Sequence, residues 1–191
     1  KYRRTRTGTK TPENRGKIAN MLSIEERPAE VADRTVPGHW EGDLILGKYK
    51  RSALGTLVER TTRYTILVPL GKQKDALSVR QAYAEAFKTV PGELRKTLTY
   101  DQGKEMSEHE QFTIDTGIQV FFAHPGSPWE RGTNENTNGL IRQYFPKGTD
   151  FTQVSEEEIK KVQRKLNNRP RRALNFYKPD EVFNKLVALN V

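Results

Sequence analysis

The chain has 191 residues, 34% of them hydrophobic and 30% charged; Lys and Arg number 33 against 24 Asp and Glu, and there is no cysteine. That length fits one domain with a sizeable core, while the composition excludes a disulfide framework and a thiolate zinc site; with only three histidines, any metal would be a hard, oxygen-bound ion. No apolar run approaches the roughly 20 residues needed to span a bilayer, and the basic start lacks the apolar segment of a signal peptide, so a soluble, cytoplasmic protein without membrane partners is expected.

The net charge of +9 is unevenly placed. Residues 1–20 hold seven basic residues and one acid, residues 160–178 hold eight basic residues and no acid, and the rest of the chain is net negative. Such blocks suit a polyanion such as DNA, although solvated tails share this composition. Residues 1–35 lack periodicity and read as a basic arm or linker, with a hint of order at Ile18, Met21, Leu22 and Ile24; residues 36–191 read as the folded core with C-terminal helices. Because the chain starts at Lys1, it is expected to be a piece of something longer.

Within the core, His39 to Leu46 alternates so that His39, Glu41, Asp43 and Ile45 share one face of a strand. Residues 53–59 and 64–70 read as two more strands with short connections, hence an antiparallel meander. A helix capped by Asp75 or Ser78 follows, with Leu77, Ala84 and Phe87 as its stripe, stopped by Pro91 and Gly92. A short strand ends at Tyr100, a helix ends at Gly117, and residues 118–123 form a fifth strand. Pro128 and Gly132 then open a helix over about residues 134–145. Ser155 with Glu158 is a capping-box signature for a helix to about residue 168, and a last helix runs over about residues 179–188. The order predicts an α/β fold with a mixed five-stranded sheet, a three-stranded antiparallel meander plus two crossover strands, flanked by helices.

Three carboxylates stand at element ends or faces: Asp43 in the first strand, Asp101 just past the fourth, and Glu135 in the first turn of the helix after the fifth. Converging acids with few other ligands suit Mg²⁺ or Mn²⁺, and a pair of such ions suits in-line displacement at phosphorus. Taken singly the same residues are an edge acid, an Asp-Gln-Gly turn and a capped helix start. Glu41 is an auxiliary acid or the partner of a base. Glu130 is expected in a loop paired with an arginine, His124 as a hydrogen-bonded loop residue, and Trp40 and Trp129 as packing residues.

The runs GHWEGDLI, TYDQGKE and above all PWERGTNENTNGLIRQYFPKGTDF closely resemble bacterial DDE transposases of the insertion-sequence-thirty family, and NNRPR followed by Pro-Asp-Glu is similar to their C-terminal end. The likeness covers about residues 18–185. Family members carry two aspartates and a glutamate with 33 residues between the last two, the number that separates Asp101 from Glu135. The resemblance implies a ribonuclease-H-like fold and Asp43, Asp101 and Glu135 as catalytic metal ligands. It also implies hydrolysis at transposon terminal inverted repeats, with transfer of the freed 3′-OH into target DNA. A homodimer or higher multimer in the synaptic complex is implied, as is an N-terminal helix-turn-helix module that is not visible here. Candidate nucleic-acid contacts are Lys104, Arg131, Asn138, Arg142, Lys147, Arg169, Arg171 and Arg172. A metal-dependent nuclease of the same fold and a non-catalytic nucleic-acid-binding module are the alternatives.

Overall fold

The computed structural model describes residues 18–189. Most of the basic arm, residues 1–17, lies outside the described residues, and so does any contact it makes with phosphate. Part of the segment before β1 runs against the body: Ile18 and Val31 are buried, since even a short apolar stretch gains from leaving water.

Runs rich in Val, Ile, Leu and Thr pack well on a pleated surface. They form β1 (His39–Leu46), β2 (Ala53–Glu59) and β3 (Thr65–Gly71), paired antiparallel with Asp43 opposite Thr56 and Thr56 opposite Leu67. The chain crosses through α1 (Ala76–Phe87) to β4 (Thr97–Tyr100), then through α2 (His109–Thr116) to β5 (Gln119–Phe122), both strands being added in parallel. The result is a mixed sheet of order β3-β2-β1-β4-β5, the architecture expected from the element order. Three helices follow: α3 (Gly132–Ile141), α4 (Glu156–Asn167) and α5 (Pro179–Leu189). Among the described residues no helix is long and apolar enough to cross a membrane.

Alternation along the central strand feeds two cores. On one face Trp40, Leu57 and Leu98 pack with Val79, Tyr83 and Phe87 of α1, Phe112 of α2 and Phe183 of α5. On the other, Ile45, Leu54 and Leu67 pack with Ile141 of α3 and with Ile159, Val162 and Leu166 of α4. The buried stripe of α1 is therefore Val79, Tyr83 and Phe87, whereas Leu77 is 46% exposed. Asp75 is the N-cap, accepting from Ser78 N–H, so Leu77 falls in the first turn, beyond the edge of the core. Tyr83 fixes the register: its ring occupies the space a side chain at Gly55 would need, and its hydroxyl donates to Asp43 O at 2.8 Å.

Both sheet edges are partly covered. On β3, Asn167 of α4 accepts from Thr65 N–H at 2.9 Å and donates to Thr65 O at 2.8 Å, and Gln163 accepts from Leu67 N–H at 2.8 Å. On β5, Phe122 N–H donates to Leu22 O at 2.9 Å, and Ser23 bridges Phe122.

Candidate active site

In β1, residues two apart share a face, so Glu41 and Asp43 point the same way. The parallel register sets Glu41 beside Thr99, and two residues further along each chain it brings Asp43 alongside Asp101, just past the end of β4. Gly42 between the two acids faces the other side, where an added Cβ would lie 2.8 Å from the Tyr100 ring, so only glycine lets β4 sit this close.

A single guanidinium spans the two aspartates. Arg131 Nη1 lies 3.6 Å from Asp43 Oδ1 and donates to Gly42 O at 3.0 Å, while Nη2 donates to Asp101 Oδ2 at 3.2 Å. Asp43 Oδ2 also accepts from Asn138 Nδ2 at 2.8 Å, and Oδ1 accepts from Leu44 N–H. Burial pushes the Asp43 carboxyl up; Arg131 opposes this, and the charge of Asp101 pushes it further up. Asp101 Oδ1 accepts from Gly103 N–H at 2.9 Å, the Asx turn read from Asp-Gln-Gly. That turn leads into the 3-10 segment Lys104–Met106, and Glu105 there is raised by burial, with the charges of Asp101 and Asp43 adding to it. Asp43, Asp101, Lys104 and Glu105 line one cleft of about 540 Å³.

Helix α3 is held on the sheet by buried polar groups. Glu41, fully buried, accepts from Asn134 N–H at 2.8 Å and lies 3.1 Å from Arg60 Nε, and Asn134 Oδ1 accepts from Thr56 Oγ1 at 3.0 Å. Of the two roles open to Glu41, the structure shows the pairing with a base. Arg131, Glu135 and Asn138, spaced four and three apart, form one stripe of the helix and its entry turn. The two outer members reach Asp43; Glu135 between them is exposed and lies in no carboxylate cluster. Among the described residues no group of three or more His, Cys, Asp or Glu is placed to hold a metal ion. The donor set at Asp43 and Asp101 nonetheless fits a hard cation: two carboxylates with free oxygen capacity, no soft donor, and a positive group already drawn between them.

The other candidate contacts are scattered. Lys104 and Lys147 are exposed. Arg142 donates to Leu46 O at 2.8 Å and to the carbonyls of Phe145 and Pro146, which closes the end of α3. Arg169 donates to Gln143, and Arg171 to Leu166 O, with Arg172 beside it exposed. Arg131 is only 7% exposed. Glu130 pairs not with an arginine but with His124, accepting from its backbone N–H at 2.8 Å and contacting Nδ1 at 2.9 Å; the 3-10 turn Pro128–Arg131 folds it back over that loop. His124 is thus the hydrogen-bonded loop residue expected. Trp40 is buried as expected, but Trp129 is 72% exposed, because the same turn directs it outward.

The strand order, with one acid within β1, one just past the end of the parallel β4 and one on the helix that follows β5, defines a ribonuclease-H-like domain of the integrase type. Residues 33–128 match the integrase core domain model. Transposase InsI for insertion sequence element IS30A of Escherichia coli (strain K12) is 50% identical over 187 residues, covering 98% of this chain and 48% of that protein. The transposase for insertion sequence element IS1086 of Cupriavidus metallidurans is 48% identical, covering 92% and 52% respectively. A solved simian T-cell lymphotropic virus intasome, in complex with PP2A regulatory subunit B56 gamma, matches at a TM-score of 0.57 and 17% identity over 69% of this chain and 49% of that one, a likeness of fold. The chain belongs to the integrase core domain family and is similar to the transposases of bacterial IS30-type elements. It spans about half the length of the curated relatives it matches.

Proposed function

We propose that this chain is the catalytic core of a DNA transposase that cleaves phosphodiesters at the terminal inverted repeats of its element and joins the freed 3′ end to target DNA. The observation that carries this reading is the convergence of Asp43 and Asp101 from adjacent parallel strands onto the Arg131 guanidinium, with Asn138 of α3 orienting Asp43. Asp43 and Asp101 would hold the divalent metal, Mg²⁺ or Mn²⁺, with Glu135 on the intervening helix stripe as third ligand. Two such ions supply Lewis-acid chemistry at the scissile phosphate. In the first step water oxygen bonds to phosphorus and the P–O3′ bond breaks, leaving a 3′-OH and a 5′-phosphate. In the second that 3′ oxygen bonds to a target phosphorus and the target's own 3′ oxygen leaves with a proton. The chain's contribution is positional: Asn138 and Leu44 N–H fix the Asp43 carboxylate, Gly103 N–H fixes Asp101, and Glu41 locks the start of α3. A homodimer or higher multimer would bring two element ends together.

Each of Asp43→Asn, Asp101→Asn and Glu135→Gln should lower cleavage and joining of labelled element-end DNA by on the order of a thousand-fold while leaving DNA affinity near wild type. Full activity in any one of them removes that residue from the site. Cleavage without joining by the wild-type protein would identify a nuclease instead, and DNA binding with no carboxylate-dependent metal uptake would identify a binding module.

A further inference from the structure

Helix α3 has a second polar side. Gly132, Thr133, Asn136 and Thr137 lie opposite the Arg131–Glu135–Asn138 stripe by helical period, and they form one wall of a cleft of about 780 Å³. Its other walls carry Arg34 from the segment before β1, Arg63 from the β2–β3 turn, and Arg171 and Arg172 after α4. No carboxylate lines it, and none of the four arginines is in an ion pair among the described residues. Arg63 Nη1 donates to Thr133 Oγ1 at 2.6 Å and Arg171 Nη2 to Leu166 O at 3.1 Å, and both side chains are partly buried. Arg34 and Arg172 are exposed and make no side-chain hydrogen bond among the described residues. Burial lowers the pKa of Arg63 and Arg171; neighbouring arginines, Arg34 for the first and Arg169 and Arg63 for the second, add to the effect, while the Glu41 and Glu59 carboxylates behind the cleft oppose it at Arg63.

Four like charges held around one open cleft repel one another, and an anion with several charged groups at intervals relieves that repulsion better than a single small ion. We propose that this cleft binds successive backbone phosphates of duplex DNA, so that the DNA lies across α3 with its scissile phosphate at the Asp43–Asp101 side. This rests on the transposase reading above. An α-helix with its side chains is about 10 Å across, well inside one duplex turn of about 34 Å, so a single duplex can meet both sides. Arg34 and Arg63 thereby join the DNA-contacting set, although they lie far from Arg171 in sequence.

The test uses the 191-residue chain and a fluorescein-labelled duplex, with anisotropy titrations over a range of KCl in EDTA. The Arg34→Gln/Arg172→Gln double variant removes two exposed charges, and Lys88→Gln/Lys185→Gln removes two exposed charges elsewhere as the control. The cleft variant should bind roughly ten-fold more weakly, with a log–log salt slope shallower by about 2, and the control should change far less. Should the double variant melt early by circular dichroism, Arg172→Gln alone carries the test with a slope change of about 1. Equal losses in cleft and control variants would overturn the proposal. So would inorganic phosphate stabilising wild type but not the cleft variant while their DNA affinities agree, since that marks a small-anion site. EDTA removes metal-dependent chemistry from this measurement, so its outcome stands apart from that of the joining assay.

Discussion

Arg131 sits between the two aspartates. With its guanidinium 3.6 Å from Asp43 and 3.2 Å from Asp101, it offsets the repulsion between their carboxylates, and a bound cation would compete with the arginine for the same oxygens. Arg131→Gln should therefore lower stability in EDTA by about 1–2 kcal/mol, a buried-pair loss discounted because Asp101 is 41% exposed, and should enlarge the rise in melting midpoint on adding Mg²⁺. Equal Mg²⁺ shifts in both proteins would show that arginine and metal do not share a site. Beside this cluster, the hydrogen bond and charge of Glu130 raise the His124 pKa above the ordinary histidine value. The folded state thus holds the proton more tightly, so the pair's contribution is fully present below the ordinary value and is lost as pH rises through the raised one. A proton NMR titration should place His124 above a reference histidine, and Glu130→Gln should bring it back down. The pairing of Asp43 with Asp101 was legible because strand alternation and a turn signal place both. The position of Arg131 was not, since an arginine between two turn signals reads as exposed, and it is drawn inward by the Gly42 carbonyl together with Asp43 and Asp101. Glu105 was missed because Lys104–Met106 reads as loop, and its tight turn folds the acid back toward Asp101.

At the scale of elements, local chemistry was readable and distant pairing was not. Asp75 and Ser155 cap α1 and α4 through the N–H groups of Ser78 and Glu158, and Gly117 ends α2 in the left-handed region at φ 74°, as turn and cap residues predict. Helix α3 begins at Gly132 and stops at Ile141, short of the expected Phe145. Arg142 takes up the carbonyls of Phe145 and Pro146, and the Phe145 ring turns to meet Phe151, 5.7 Å between centroids. No pattern in the sequence links Asn167 to Thr65, yet that side chain completes both backbone groups of a buried strand residue. Asn167→Ala should cost about 2–3 kcal/mol in urea denaturation, because two buried backbone groups lose their partner. A loss below about 0.5 kcal/mol would mean that water replaces the amide there.

For the molecule as a whole, charge is sorted by cleft. Acids gather in one cleft, at Asp43, Asp101 and Glu105, and Arg34, Arg63, Arg171 and Arg172 in another. The sequence revealed basic blocks at the chain ends but not this division, because Arg34 and Arg63 meet Arg171 and Arg172 only after the sheet has formed. The side chains laid along the sheet margins carry a further consequence, for assembly. Asn167 and Gln163 take the outward backbone groups of Thr65 and the N–H of Leu67, and the chain around Leu22 meets β5 at Phe122, so these parts of the two margins are closed to strand addition from a second copy. The amides of Thr65 and Leu67 should therefore exchange with deuterium at the same slow rate whatever the protein concentration.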